Sequence, residues 1–402
     1  MSKKRSKIKR FLPYGRQSID QKDIKKVSEI LKGNLITQGP SIYSFEKKFS
    51  SYVGSKFAVA CATGTAALHL SCKVLKLGPG KNLLTSPVTF VASANCAEYV
   101  GARTHFADID PNNFCISVEA LKMFLLKKKI DILVVVHMSG HSADLSEIYK
   151  LKKQYKFKII EDSCHALGGS YKGKKIGSCK YSDLSTFSFH PTKPITTGEG
   201  GMITTNNKEI YEQLLILRNH GLHKNKKKFL NKKMAFDKNG NQNTWYYEMN
   251  DLGFNYRMTD IQAALGESQI KKIDKFTKIR NKIAKIYNKG FSKNILIKTP
   301  QEKSIIKHSY HLYTIQINFK KLKKSRNKIM HELRNNNVGT QVLYIPVHLQ
   351  PYYLKKYGFS KGNFPKAEKY YQSCLSIPIF PDLKKKEINY VINKINSIIK
   401  IK

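Results

Sequence analysis

Between Phe57 and Glu161, short apolar runs alternate with stretches whose apolar residues recur at helical spacing, and this alternation constrains the fold more than any other feature. Phe57–Ala60, Asn82–Thr85, Arg103–Ala107, Ile130–Val136 and Lys158–Glu161 read as strands. Thr65–Leu75, Val91–Tyr99, Val118–Leu126 and Leu145–Gln154 read as helices between them. A strand that returns through a helix re-enters its sheet parallel, so the pattern predicts an α/β fold with a twisted, mostly parallel sheet covered on both faces. Leu184–Ser188 and Gly201–Thr204 add two short strands.

The flanks are read the same way. Asp20–Lys32 is an expected helix with Asp20 as its N-cap and Gly33 as its stop, and a second helix is expected around Phe45–Val53. Residues 224–243 are rich in Lys and Asn and read as a polar surface insertion. A helix from Thr259 running on to about Tyr287 leads into a region mixing strands (Tyr313–Asn318, Val342–Tyr344) with helices. The expected organisation is a disordered basic tail over 1–11, a large domain over 12–270 and a smaller C-terminal α/β domain over 271–402.

Composition narrows the function. The 41% hydrophobic content suffices for a sizeable core in 402 residues. No run approaches ~20 apolar residues, and the basic N-terminus is not followed by an apolar segment, so neither a membrane span nor a secretory signal is expected. Seven cysteines without a Cys-x-x-Cys pair predict reduced thiols, a cytoplasmic protein and no metal site. The net charge is +44, yet only nine of the 72 basic residues are Arg and the lysines are spread along the chain. A nucleic-acid reader relies on Arg for bidentate contacts, so that class is disfavoured, whereas the field suits small anions.

Four segments carry chemistry. Lys193 lies between Pro191 and Pro194 in a run with almost no other charge, ending in Gly198-Glu199-Gly200-Gly201. A lysine in such surroundings loses hydration, and its free amine becomes a nucleophile, although among so many lysines an ordinary surface role competes. Asp162 ends the Lys158–Glu161 run, where α/β proteins place ligand contacts, and His165 follows three residues on. A helix cap or ion pair is the competing role for Asp162. Thr63-Gly64-Thr65 opens a helix after a strand and offers N–H groups to a phosphate, or serves only as a cap. Ser188 precedes the lysine by five residues, and Phe90 follows a strand as a ring for stacking or as core. A lysine nucleophile with a strand-end Asp is the equipment of a pyridoxal 5′-phosphate (PLP) enzyme, in which the carboxylate keeps the ring nitrogen protonated.

The chain resembles the DegT/DnrJ/EryC1/StrS sugar aminotransferases. The likeness is carried by LITQGPSIYSFEKKF, CATGTAALHL, SPVTFVASAN, IIEDSCHALGGSYKGKKIG, STFSFHPTKPITTGEGGMITTN, LGFNYRMTDIQAALGESQ and YIPVHLQPYY, in family order from about residue 12 onward. The resemblance implies a fold-type-I PLP-dependent transferase. It makes Lys193 the cofactor-bonding lysine, Asp162 the ring-nitrogen partner and His165 the neighbour of the ring oxygen. Thr63, Gly64, Thr65 and Ser188 fall at phosphate positions and Phe90 at the stacking position. Asn255 matches a residue reaching the phosphate of the neighbouring subunit, which implies a homodimer with shared sites. Tyr14, Thr37, Gln38, Gly39 and Tyr344 fall at substrate positions. L-Glutamate is the implied donor, 2-oxoglutarate its product, and a UDP-linked 4-keto sugar the implied acceptor, with another 4-keto or 3-keto sugar nucleotide left open. Relatives with His in place of the lysine are dehydratases, so Lys193 favours transamination. Leu343 stands where relatives often carry His.

Overall fold

The computed structural model describes residues 8–301 and 303–400. The expected tail therefore lies mostly outside the described residues. Its described end is ordered, contrary to expectation: the Arg10 guanidinium grips Glu387 at 2.6 and 2.7 Å.

Seven strands form the main sheet: β1 (Phe57–Cys61), β2 (Asn82–Thr85), β3 (Arg103–Phe106), β4 (Ile132–Val136), β5 (Lys158–Asp162), β6 (Leu184–Ser188) and β7 (Gly201–Thr205). Their spatial order is β1-β7-β6-β5-β4-β2-β3. Neighbours from β3 to β6 pair parallel, and β7 alone runs against both β6 and β1. The apolar run of β4 is buried along its whole length because its residues serve two cores. Ile132, Val134 and Val136 pack with the helix Gly64–Val74 on one face, while Leu133 and Val135 pack with Ile148 and Phe157 on the other.

The register decides where a ligand can sit. Val136 pairs with Asp162, Asp162 with Thr186, Ser188 with Gly201 and Gly201 with Cys61. The carboxyl ends of β1, β4, β5 and β6 thus share one edge with the start of β7. Reversal of β7 returns the connection 189–200, which contains Lys193, over that edge.

The C-terminal part holds a three-stranded antiparallel sheet of Ile297–Lys298, Tyr313–Ile317 and Cys374–Ile377, packed against the helices Ile273–Phe291 and Lys385–Ile398. Three sequence expectations need correction here. Val342–Tyr344 is not a strand: Gln341 alone bridges Ser376, the Leu343 carbonyl accepts from the Tyr370 hydroxyl at 2.6 Å, and the Tyr344 ring turns into a cavity. The helix expected from Thr259 to Tyr287 is two helices, Asp260–Ile270 and Ile273–Phe291. At the break, the Lys272 ammonium is held by Asp23 at 2.5 Å and Asp20 at 2.9 Å. The 224–243 insertion is not polar throughout, since its Phe229 and Ala235 join Tyr246 in a small core closed by Glu248, which accepts from the amides of Leu230 and Asn231.

The helix expected around Phe45–Val53 begins earlier, at Pro40. Its N-cap Gly39 has no side chain to satisfy the free amides of the first turn. Asp260, fully buried, does so from 221 residues away by accepting from Gly39 N–H at 2.7 Å, and it accepts from Ser41 N–H at 2.9 Å. Asp260→Ala leaves both amides without that acceptor and is expected to cost about 1–3 kcal/mol in urea unfolding. An unchanged midpoint would show that water replaces the carboxylate without penalty.

Candidate active site

Asp162 reaches the shared edge as the last residue of β5. Alternation along the strand sends Glu161 to the other face, where it meets His137 at 2.8 Å and Ser182 at 2.5 Å and is buried as a structural pair. One Asp162 oxygen accepts from Ser93 Oγ at 2.6 Å and the other from Cys164 N–H at 3.2 Å, while Ser93 Oγ is also 2.7 Å from Thr89 Oγ1. These contacts aim the carboxylate into a cavity of about 450 Å³, an ordinary size for a small-molecule site.

Lys193 enters the same cavity from the 189–200 connection. Phe189 and Ile195 anchor that segment in the core. The Phe189 carbonyl accepts from Thr196 Oγ1 at 2.9 Å and Thr197 N–H at 3.0 Å, and Gly198 turns with φ +82°. Desolvation pushes the Lys193 ammonium below its usual range, opposed by Cys164 and Asp162.

The third wall is the start of the helix Gly64–Val74. Thr63 Oγ1 accepts from Ala66 N–H at 3.0 Å, and the first turn faces the cavity with Thr63, Gly64 and Thr65. Glycine is required at position 64, because a Cβ there would lie 2.7 Å from the Ser188 Cβ. A Cβ on Gly201 would lie 2.2 Å from the Thr63 carbonyl oxygen. The strand ends and the helix start therefore make a close cradle, with Ser188 beside it.

His165 is buried, with Nε2 at 3.2 Å from Tyr344 Oη and Nδ1 without a partner. Burial holds it well below its usual pKa, with Lys193 adding to the effect. Phe90 lines the cavity with 53% of its surface exposed, so it is not core, and its ring centroid lies 5.9 Å from that of Tyr344.

The structure thus brings Lys193, Asp162, His165, Thr63, Gly64, Thr65, Ser188, Phe90, Tyr14 and Tyr344 around one cavity. Thr37, Gln38 and Gly39 do not line it; they are tied to the start of the helix Asp260–Ile270 through a Thr37–Thr259 bridge and Asp260. Asn255 also lies off this cavity, bridged to Asn219. Sequence reasoning missed Ser93, which orients Asp162, and His190, Thr192 and Glu199, which also line the cavity. The last three sit within the lysine motif and were findable there; Ser93 gives no local signal.

The arrangement fits PLP on its own terms. It supplies an amine with a lowered proton affinity, a carboxylate for a ring nitrogen, helix amides and hydroxyls for a phosphate, and a cradle that a methyl group would fill.

Residues 17–396 match the model of the DegT/DnrJ/EryC1/StrS aminotransferase family. The chain belongs to that family. It is 36% identical over 391 residues to the UDP-4-amino-4,6-dideoxy-N-acetyl-β-L-altrosamine transaminase of Campylobacter jejuni, covering 97% of this chain and 98% of that one. Its fold superposes on Helicobacter pylori PseC, an aminotransferase involved in the biosynthesis of pseudoaminic acid, with a TM-score of 0.88, 28% identity, and 97% and 99% of the two chains covered. A candidate sugar aminotransferase of Streptococcus pneumoniae in its PLP form gives a TM-score of 0.85 at 27% identity, covering 96% of this chain and 98% of that one.

The buried histidines of this family member set a pH dependence. His165, His308 and His311 are all held well below the usual 6.5 by burial. The unfolded chain binds protons below about pH 6.5 that the folded chain refuses, so their stabilisation is complete above that pH and is lost as pH falls. Each refused proton costs at most about 1.4 kcal/mol per pH unit. The urea midpoint is expected to drop between pH 7.5 and 5.5; a flat midpoint over that range contradicts the burial of these rings as neutral groups.

Proposed function

We propose that this chain is a PLP-dependent aminotransferase that moves an amino group from L-glutamate to C4 of a UDP-linked 4-keto-6-deoxy-N-acetylhexosamine. The product would be UDP-4-amino-4,6-dideoxy-N-acetyl-β-L-altrosamine, a precursor in pseudaminic acid biosynthesis. The observation that carries the reading is the meeting of Lys193, Asp162 and the Gly64 cradle in one cavity of a family member. The choice of sugar rests on the 36% identical Campylobacter transaminase and on the PseC fold.

When bound, PLP supplies an aldehyde that exchanges amines covalently and a ring that accepts the electron pair left on the substrate carbon. Asp162 would pair with the ring nitrogen, its carboxylate held by Ser93 and Cys164 N–H. His165 would stand by the ring oxygen, Phe90 over the ring face, and Thr63, Gly64, Thr65 and Ser188 around the phosphate. Lys193 Nζ is the proton carrier. It takes a proton from the α-carbon of glutamate in the first half of the cycle and places one on the sugar C4 in the second. Desolvation, which lowers its proton affinity, supports that role. One lysine serving two substrates in turn gives ping-pong kinetics.

Tyr14, Tyr344 and the Thr37-Gln38-Gly39 loop are the proposed sugar-nucleotide contacts. Asn255 is proposed to serve the cavity of a second protomer, which accords with its position away from its own. Exposed Leu230, Trp245 and Leu252 nearby in sequence accord with a homodimer. No helix among the described residues is long and apolar enough to cross a membrane, and the proposed location is the cytoplasm.

Two tests follow. Lys193→Ala is expected to abolish turnover and the visible absorbance of the lysine-bound cofactor; a turning-over variant with an unchanged spectrum contradicts the assignment. Gly64→Ala, which pushes a methyl into Ser188, is expected to keep the fold but lose PLP on dialysis. For the substrate, purified protein is incubated with glutamate and a panel of 4-keto and 3-keto sugar nucleotides. Amination of another sugar or carbon removes the substrate assignment, and failure to form 2-oxoglutarate with any acceptor removes the transaminase reading.

A further inference from the structure

Behind His165 lies a line of groups that the proposed chemistry does not use. The His311 ring packs on His165 with centroids 4.4 Å apart. The segment carrying it is pinned to the large sheet's loops: Ser309 Oγ donates to the His165 carbonyl at 2.6 Å, and Ser309 N–H donates to the Gly140 carbonyl at 3.1 Å. Gly140 must lack a side chain, since a Cβ there would meet Ser309 Oγ at 2.1 Å. On the far side, Arg280 reaches in from the helix Ile273–Phe291. Its Nη1 donates to the carbonyls of Ile379 at 2.8 Å and of Tyr310 and His311 at 3.3 Å each.

Arg280 is 1% exposed, and none of the ion pairs among the described residues includes it. A cation in such a place is costly, and an apolar side chain would fill the space without that cost. Three buried polar atoms in this line, Arg280 Nε, His311 Nδ1 and His165 Nδ1, have no hydrogen-bond partner. Buried unsatisfied atoms are rare enough in folded proteins that three in succession call for a reason.

We infer that Arg280 is a positioning residue: by gripping the carbonyls that lead into the strand Tyr313–Ile317 and the one that follows the strand Cys374–Ile377 it seats the His311 ring against His165, and so fixes His165 at the wall of the Lys193 cavity as the partner of Tyr344. The inference rests on the reading of this cavity as the PLP site. Lys193, His311 and Tyr344 face His165; His165, Lys193, Arg280 and His190 face His311. The positive groups in that set, together with burial, oppose protonation of either ring. His165 therefore meets the Tyr344 hydroxyl as a neutral ring with a fixed orientation, and it adds no second cation beside the lysine ammonium.

The test follows the Cε1 resonances of 13C-histidine in the full-length, PLP-loaded protein without sugar, from pH 5.5 to 8. In the wild type, the His165 and His311 signals are expected not to titrate. In Arg280→Met at least one titrates within the window, and the rate at pH 6 relative to pH 8 falls about fourfold below the wild-type ratio, as for a ring that has regained the ordinary pKa of about 6.5. Arg280→Lys, which retains the charge, keeps both signals silent. If Arg280→Met does not fold, the pair His311→Ala and His311→Phe decides: removal of the ring frees His165 to titrate, and the phenyl ring restores silence. Ordinary titration of His165 in the wild type overturns the inference, as does silence in both Arg280→Met and His311→Ala. Failure of the underlying reading has a different signature, the absence of 2-oxoglutarate formation by the wild type at pH 8, on which the histidine titrations do not depend.

Discussion

The site depends on one reversed strand. With β7 antiparallel to β6, Ser188 and Gly201 sit side by side, and the twelve-residue connection between them must fold back over the edge where β5 delivers Asp162. A parallel β7 would require a crossover to the opposite end of the sheet and would carry Lys193 away from the carboxylate. The same closeness explains the glycines. Strand ends at sheet spacing leave no room for a Cβ at Gly64 or Gly201, so the helix start can face the cavity with bare backbone.

The electrostatics follow from where the charges are placed. The chain carries +44, yet the cavity wall holds one lysine and two carboxylates, Asp162 and Glu199, beside His165, whose protonation burial opposes. Most of the lysine excess bears on solubility and on the attraction of anions rather than on the chemistry. The proposed cofactor-bonding amine, Lys193, is set apart by the desolvation it meets at the cavity wall, not by its sequence neighbours alone.

What the sequence revealed was local. Each step of the strand–helix alternation is written in a dozen residues or so, as are the strand-end position of Asp162 and the proline-bracketed lysine, and the structure carries β5 and β6 where the alternation puts them. The helix-opening threonine was legible as a cap and as a cavity wall for the same reason. What stayed hidden depends on partners far along the chain. Asp260 caps a helix 221 positions away, Ser93 orients Asp162 across 69, and Arg280 holds a carbonyl 99 residues on. Val342–Tyr344 looks like a strand by composition, but Tyr344 is taken by the cavity and the Leu343 carbonyl by Tyr370, so no ladder forms. The insertion misled for a related reason: its lysines and asparagines outnumber Phe229 and Ala235, which build its small core with Tyr246.

The central claim is that one side-chain nitrogen, Lys193 Nζ, carries the cofactor. Borohydride reduction of the PLP-loaded protein, followed by proteolysis and mass mapping, reads this directly. The account predicts a single reduced pyridoxyl adduct on the peptide containing His190 to Thr197, at Lys193. An adduct on any of the other lysines, or none, would contradict it.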